Sequence, residues 1–251
     1  GGEVGGSGVW SGWMRYGRAG QRGGMRGMTP AGDWAVELLG ITMRFPGVVA
    51  TYDVGLKVGP GTLLAIVGEN GDGKSTLMKT LYGMHQPDEG RIVVNGEQVS
   101  FRSPTDAIEV GIGMVHQHFK LADNLTILEN IILGDEPVGG RGRIKFDEAR
   151  TRITELAATL GVDFDPDTMV GELGVGQRQR VEILKVLYRG ANVLILDEPT
   201  AVLVPQEVEE LFATLKRLVA EGRTVIFISH KLDEVLTYCD EITVIRQGTT
   251  V

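Results

Sequence analysis

Short apolar runs bounded by turn residues recur along most of the chain and alternate with longer amphipathic segments. Runs rich in Val, Ile and Leu are typical of strands that are buried on both faces of a sheet. The pattern predicts seven strands, at Val36–Leu39, Leu63–Val67, Arg91–Val94, Ile112–Val115, Val193–Leu196, Val225–Ile228 and Ile242–Ile245. The alternation of such strands with helical segments predicts an α/β fold with a parallel core sheet.

Two helices are the clearest of the amphipathic segments. Phe146–Leu160 has its apolar side chains on one face and is followed by Gly161, and Gln206–Glu221 has the same pattern before Gly222. Between about residues 120 and 189 no strong strand pattern occurs. We therefore predict a helical subdomain there, and an edge of shorter strands towards the N-terminal half of the sheet.

Composition separates the N-terminal segment from the rest of the chain. Residues 1–30 are rich in Gly and Arg without periodicity, which predicts a disordered tail before a folded domain at 35–251. An RNA-binding segment or an upstream extension is the alternative for this tail. The net charge of −8 disfavours nucleic-acid binding by a basic face. The single Cys239 fits a reducing compartment, and no apolar run approaches the roughly 18 residues of a membrane span.

The strongest chemical signal is a glycine-rich loop that directly follows the predicted strand Leu63–Val67. The loop fits the pattern G-x-x-x-x-G-K-[ST], and a helix is expected from near Lys74. This arrangement directs backbone N–H groups and the positive end of a helix at nucleotide phosphates. Lys74 can reach the β- and γ-phosphates, and the Ser75 hydroxyl can bind Mg²⁺. The nucleotide-binding residues expected in the loop are Gly68, Asn70, Gly71, Gly73, Lys74, Ser75 and Thr76.

Polar side chains follow three of the other predicted strands. Asp197 and Glu198 end one strand, where Asp197 can hold Mg²⁺ and Glu198 can deprotonate an attacking water. His230 ends the next strand, and its imidazole can contact the γ-phosphate or the water. Gln117 follows Ile112–Val115 and can join the Mg²⁺ shell, although an ordinary polar loop residue explains it equally well.

Two further positions acquire a function only beside a nucleotide site. The turn Gly174-Val175-Gly176-Gln177 opens a helix that continues to about residue 189, and a helix N-terminus of this kind can bind phosphate. Because the chain has one phosphate loop, this second terminus suggests a site that is completed across a dimer; a plain capping turn is the alternative. Phe45 could stack on adenine, with a core phenylalanine as the competing interpretation.

Taken in order, these motifs resemble those of the ATP-binding-cassette (ABC) ATPases. The resemblance covers roughly residues 35–251 and is most specific in Glu198-Pro199-Thr200-Ala201 and in Ser229-His230-Lys231. The segment His116-Gln117-His118-Phe119 resembles more narrowly the bacterial importer ATPases for nucleosides and simple sugars. Those proteins typically carry two cassettes in tandem, and this chain resembles an N-terminal cassette that is truncated at its C-terminus.

The resemblance implies both chemistry and partners. ATP and Mg²⁺ are the expected cofactors, with Lys74, Glu198 and His230 as catalytic residues and with Ser75, Gln117 and Asp197 as the metal site. A second cassette would complete the ATP site against residues Gly174, Gly176 and Gln177. The expected function is ATP hydrolysis at the cytoplasmic face of the membrane, driving import through a permease. A solute-binding protein would be an indirect partner, and no nucleic acid is expected.

Three residues depart from the pattern of the family that the chain resembles. Asp72 places a carboxylate in an anion-binding loop, so we expect it to weaken ATP binding and Asp72→Ala to strengthen it. Gly174 lacks the hydroxyl of the usual serine, and Val204 replaces a usual threonine. These departures leave open a cassette that hydrolyses ATP poorly and gates a partner. A soluble ABC protein of DNA repair or translation is disfavoured by the acidic charge.

Overall fold

The computed structural model describes residues 34–251, so the predicted tail lies outside the described residues. The strands are β1 (Val36–Phe45), β2 (Val48–Val58), β3 (Leu63–Val67), β4 (Glu89–Val94), β5 (Glu97–Val99), β6 (Ile112–Val115), β7 (Val193–Asp197), β8 (Thr224–Ser229), β9 (Glu241–Arg246) and β10 (Thr249–Thr250). The helices are α1 (Lys74–Leu81), α2 (Pro104–Glu109), α3 (Ile127–Ile132), α4 (Phe146–Leu160), α5 (Val175–Tyr188), α6 (Pro205–Ala220) and α7 (Leu232–Tyr238).

A six-stranded sheet forms the core, with the order β10-β9-β3-β8-β7-β6. Its strands are parallel except for β10, which pairs antiparallel with β9. Every residue of β3, β6, β7 and β8 is buried, in agreement with their continuous apolar sequences. The predicted parallel α/β core is therefore confirmed, and the carboxyl ends of its strands meet along one edge.

A second, antiparallel sheet with the order β2-β1-β4-β5 packs beside the core. The predicted edge of shorter strands corresponds to this sheet. The predicted strand lengths were wrong, because β1 continues to Phe45 and β2 was not predicted at all. In both strands the regular alternation of apolar residues is interrupted. The β1–β2 pairing contains register shifts, and Asp53 has a φ of 48°.

The segment from 120 to 189 contains the two helices that the sequence predicted, α4 and α5, and a third, α3, that it did not. Helix α4 has the predicted bounds, and it ends where Gly161 adopts the left-handed conformation of a helix C-cap. The apolar faces of these helices pack with α6 against one face of the core sheet, around Phe212 and Phe227. A separate core lies between the two sheets and includes the inner face of α1. The loops at the carboxyl edge of the sheet are therefore held by packing on both faces.

Candidate nucleotide site

The phosphate loop connects β3 to α1 and is pressed against two neighbouring strands. A Cβ atom on Gly68 would lie 2.2 Å from the carbonyl oxygen of Ile245, and one on Gly73 would lie 2.3 Å from that of Ala50. Gly73 also has a φ of 92°, which side chains other than glycine rarely tolerate. The glycines of the motif are therefore required by close backbone approach as well as by the turn.

The Lys74 side chain folds back over this loop and is only 5% exposed. Its Nζ donates to the carbonyl oxygens of Gly68, at 2.9 Å, and Glu69, at 2.7 Å. The ammonium group is thus already positioned across the mouth of the loop. Asn70 and Gly71 lie exposed at the tip of the loop, and Thr76 lies half-buried in the first turn of α1.

Ser75 and Asp197 meet where α1 faces the end of β7. The Ser75 Oγ donates to Asp197 Oδ1 at 3.0 Å, although the two residues are far apart in sequence. Burial raises the pKa of the Asp197 carboxyl, and the bond from Ser75 opposes that rise. A hydroxyl and a carboxylate in contact are hard oxygen donors, and a divalent cation would favour the charged carboxylate. This donor set fits Mg²⁺, which usually takes one or two carboxylates and keeps several waters.

Glu198 and His230 form a second pair at the same edge. The His230 Nδ1 lies 3.3 Å from Glu198 Oε1, and the Glu198 backbone N–H donates to the carbonyl oxygen of Ile228 at 3.1 Å. Glu198 has a φ of 49°, a strained value for a residue other than glycine. Such strain persists where the surroundings impose it, and it is common at functional sites.

A polar network behind this pair was missed by the sequence analysis. The Thr200 hydroxyl donates to Glu234 at 2.7 Å, and Lys231 Nζ donates to the Thr200 carbonyl oxygen at 2.8 Å. Lys231 also lies 3.2 Å from Glu234. The network ties the segment after Glu198 to the helix after His230. Its only sequence signal was the presence of Thr200 and Lys231 in the two family motifs.

Gln117 and Phe45 lie at the surface. Among the described residues Gln117 makes no side-chain hydrogen bond, and it lines a cavity of about 490 Å³ with Phe119, Arg178 and others. Within residues 34–251 no hydrogen bond joins it to Ser75 or Asp197. Phe45 is 36% exposed at the end of β1, and its ring meets His85 edge-on at 5.5 Å. The competing interpretation of Phe45 as a core residue is therefore wrong.

The glycine turn before α5 lies in the helical subdomain. Gln177 Oε1 accepts the Gly174 N–H at 3.0 Å and caps the helix, while the Gly176 N–H donates to Glu207 Oε1 at 3.1 Å. Within residues 34–251 no hydrogen bond joins this turn to the phosphate loop. A Cβ atom on Gly174 would find its nearest neighbour, Gln177 Oε1, at 3.7 Å, so a serine fits there without displacement.

A phosphate loop on a strand–helix junction, with serine and aspartate brought together beside it, defines the phosphate-loop nucleoside triphosphatases. The chain belongs to the ABC transporter family, whose model matches residues 51–201.

Two curated relatives show how closely the chain resembles this family. The nucleoside import ATP-binding protein NupA of Lactococcus lactis subsp. cremoris is 47% identical over 221 residues, which cover 88% of this chain and 44% of that protein. The guanosine import ATP-binding protein NupO of Bacillus subtilis is 49% identical over 216 residues, which cover 86% of this chain and 42% of that protein. The chain thus spans less than half the length of either relative.

Solved structures of cassettes share the fold. An ATP-binding cassette of an ABC transporter in its ADP conformation has a TM-score of 0.77 at 26% identity, with 87% of this chain and 89% of that chain covered. A dimeric cassette in a post-hydrolysis state, bound to ADP and Pi, has a TM-score of 0.71 at 25% identity, with 86% and 96% covered. The predicted fold, a phosphate-loop core with a helical subdomain, is confirmed.

Proposed function

We propose that this chain is the ATP-binding and ATP-hydrolysing cassette of an importer for a small solute, a nucleoside or a simple sugar. The observation that carries the proposal is the meeting of three elements at one sheet edge: Lys74 across the phosphate loop, the Ser75–Asp197 pair and the Glu198–His230 pair. The two relatives are named for nucleoside import and guanosine import, which supports the class of solute.

Nucleotide binding would use the loop and the exposed aromatic ring of Phe45. The ring offers a face for adenine, while the backbone N–H groups of residues 68–76 surround the phosphates. Lys74 would exchange its bonds to the Gly68 and Glu69 carbonyl oxygens for bonds to phosphate oxygens, which are stronger because both partners are charged.

The metal would be held by Ser75 and Asp197, with Gln117 joining when its loop moves towards them. A Mg²⁺ ion held by these residues would neutralise part of the negative charge of the phosphates. The two protein ligands are already 3.0 Å apart, so little reorganisation of α1 or β7 is needed.

Hydrolysis would depend on Glu198 and His230. Glu198 accepts the proton of the attacking water, and its strained backbone holds the carboxylate at the sheet edge. His230 is 3.3 Å from that carboxylate, so one imidazole nitrogen orients Glu198 while the ring contacts the γ-phosphate. The network of Thr200, Lys231 and Glu234 holds the segment after Glu198 and the helix after His230 in fixed positions relative to each other.

A second cassette would complete the site. Within residues 34–251 the glycine turn makes no hydrogen bond to its own phosphate loop, and Gly174, Gly176 and Gln177 would serve the ATP of a partner cassette. The dimeric cassette bound to ADP and Pi supports this arrangement. Each closed dimer would then contain two sites, and opening after hydrolysis would move the helical subdomains.

The permease would dock in a groove between the core sheet and the helical subdomain. A cavity of about 260 Å³ opens there, with Tyr82, Met114 and His116 among the residues that line it. Glu182 and Lys185 also line it, and burial raises the pKa of Glu182 and lowers that of Lys185. No helix in the described part of the chain combines the length and apolar composition needed to cross a membrane. We place the cassette at the cytoplasmic face, attached through its permease.

Steady-state ATP hydrolysis tests the enzymatic part of the proposal. The wild-type chain should hydrolyse ATP with Mg²⁺, and Glu198→Gln should lower the rate by a factor of roughly 10²–10⁴, the usual contribution of a general base. ATP binding should survive the substitution. A wild-type rate no higher than that of Glu198→Gln would instead favour the cassette that gates a partner without turnover.

Affinity capture from membranes tests the partner. The cassette should retain an integral membrane permease, and a Lys185→Glu variant in the groove should lose it while still binding ATP. Stimulation of the ATPase by nucleic acid, without capture of a permease, would contradict the importer and favour a soluble role.

A further inference from the structure

The Asp72 carboxylate binds two backbone N–H groups on separate parts of the chain. Glu69 N–H, within the phosphate loop, donates to Asp72 Oδ2 at 2.5 Å, and Gln247 N–H donates to Asp72 Oδ1 at 2.8 Å. The side chain is only 9% exposed. These bonds hold the pKa of the Asp72 carboxyl below its usual range, with the bond from Gln247 as the largest cause.

Gln247 and Gly248 form the two-residue turn between β9 and β10. Both have positive φ, 48° and 75°, as a hairpin turn of this length requires. A positive φ is unfavourable for Gln247, because asparagine, aspartate or glycine is preferred at such positions. The Asp72 carboxylate binds the N–H of this strained residue, and the Gly248 N–H donates to the Asp72 carbonyl oxygen at 3.2 Å.

The same turn contacts strand β2. The Tyr52 N–H donates to the Gly248 carbonyl oxygen at 2.7 Å, and a Cβ atom on Gly248 would lie 2.9 Å from the Ala50 carbonyl oxygen. The Ala50 carbonyl oxygen is also the nearest neighbour of a Cβ atom built on Gly73. The turn, β2 and the phosphate loop therefore form one closely packed unit, with Asp72 inside it.

From this geometry we infer that Asp72 is a positioning residue, a clasp that fastens the phosphate loop to the β9–β10 turn and holds the loop ready for phosphate. Glu69 is held on both sides: Asp72 binds its N–H, and Lys74 Nζ binds its carbonyl oxygen. Release of the clasp would let the first half of the loop move and would cost part of its preorganisation. The consequence for ATP affinity rests on the proposed function; the clasp itself does not.

The clasp and simple charge repulsion predict opposite changes in ATP affinity when the Asp72 carboxylate is removed. If the carboxylate acted mainly by repelling phosphate, its removal would strengthen ATP binding, as the sequence alone led us to expect. A carboxylate turned towards two N–H donors has its charge offset by them, so the loss of positioning dominates. The exposed Glu69 offers a matched control, because Glu69→Gln removes one negative charge from the same loop and leaves both backbone bonds to Asp72 in place.

Titration of the wild type and three variants with ATP decides between these two explanations. We expect Asp72→Ala to weaken ATP binding roughly tenfold, the scale of one hydrogen bond to a charged group. Asp72→Asn should lie between it and the wild type, because the amide retains one acceptor. Glu69→Gln should bind ATP at least as tightly as the wild type. Tighter binding by both Asp72 variants, in step with Glu69→Gln, would overturn the proposal.

Amide NMR of the wild type, without nucleotide, tests the clasp directly. At neutral pH the Gln247 and Glu69 amide protons should resonate downfield and should exchange slowly. Both signals should move together only as the pH falls below about 4, the ordinary carboxyl range, because the pKa of Asp72 is lowered. Signals that titrate separately, or that persist in Asp72→Ala, would overturn the clasp. Failure of the wild type to bind ATP would contradict only the proposed function.

Discussion

The phosphate-loop edge and the glycine turn before α5 differ in how much of a nucleotide site each one contains. At the edge, side chains from α1, β7 and the segment after β8 already contact one another, as in Ser75–Asp197 and Glu198–His230. At the turn, Gly174 and Gly176 bond only within the helical subdomain and to Glu207. One region brings its polar side chains together within a single chain, and for the other we have proposed that a partner cassette completes the site.

This difference follows from where each region lies on the sheet. Parallel strands bring their carboxyl ends to one edge, so residues more than a hundred positions apart become neighbours without any partner. The turn lies at the N-terminus of α5, where the Gly176 N–H donates to the Glu207 carboxylate of α6, and within residues 34–251 no hydrogen bond joins it to the phosphate loop. We therefore expect changes at the edge to act within one cassette and changes at the turn to act across two.

Among the changes that compare the two regions, the largest effect should follow Asp197→Asn, which alters the assembled edge. Removal of the carboxylate that we propose to hold Mg²⁺ should lower ATP turnover by roughly 10²–10³, corresponding to several kcal/mol of charge stabilisation. The same variant should be more stable without nucleotide. Burial raises the pKa of the Asp197 carboxyl in the folded chain, so the ionised form opposes folding increasingly as the pH rises from the ordinary carboxyl range through this raised pKa.

Calorimetry and a steady-state assay together check this pair of outcomes. At neutral pH, without Mg²⁺, the Tm of Asp197→Asn should lie above that of the wild type. Asp163→Asn, in an exposed loop after α4, is the control that removes a charge without burial. A fall in Tm with Asp197→Asn, or turnover equal to the wild type, would contradict the assigned role.

The sequence predicted the assembled edge better than its surroundings. Strands β3 and β6 and helix α4 have the predicted bounds, because a long periodic segment or a wholly apolar one shows clearly where the element begins and ends. Helices α3 and α7 were not predicted, since six or seven residues are too few to show a helical period. Strand β2 escaped prediction because Asp53 and the register shifts break its alternation.

Site residues at strand ends could be inferred because strand order alone places them together. The orientation of Asp72 could not, since it depends on a turn at Gln247 that only the folded chain brings near. Glu207 was equally hidden, because its bond to Gly176 joins α6 to the helical subdomain and arises only in the folded chain. Such contacts depend on tertiary packing, which neither periodicity nor motif spacing encodes.

The second-largest effect should follow Gly174→Ser, a change at the glycine turn. The added hydroxyl has room, with 3.7 Å between the Cβ position and Gln177 Oε1. If it reaches the ATP of a partner cassette, a hydrogen bond to a charged group worth about 1.5–3 kcal/mol should raise turnover or dimer closure ten- to hundredfold. Binding of ATP to an isolated cassette should not change.

Gly176→Ser provides the matched control for that gain. The same side chain added two residues later would meet Glu207 Oε1 at 2.8 Å and would displace it. We expect a loss of turnover there, measured with the same ATPase assay and with light scattering of the ATP-bound dimer. A gain that appears equally in a monomer, or in both variants, would show that the turn does not act across two cassettes.

The smallest effect should come from Glu207→Ala, which cuts the connection between the two regions. Glu207 accepts the Gly176 N–H at 3.1 Å through Oε1 and the Val204 N–H at 3.2 Å through Oε2. It thereby links the glycine turn to the segment that follows Glu198. Loss of about 1 kcal/mol of such bonding should lower turnover roughly fivefold while the Kd for nucleotide stays unchanged.

The exposed Glu209, on the same helix, gives the control Glu209→Ala. A Kd that changes as much as turnover, or equal losses in both variants, would mean that Glu207 only stabilises α6.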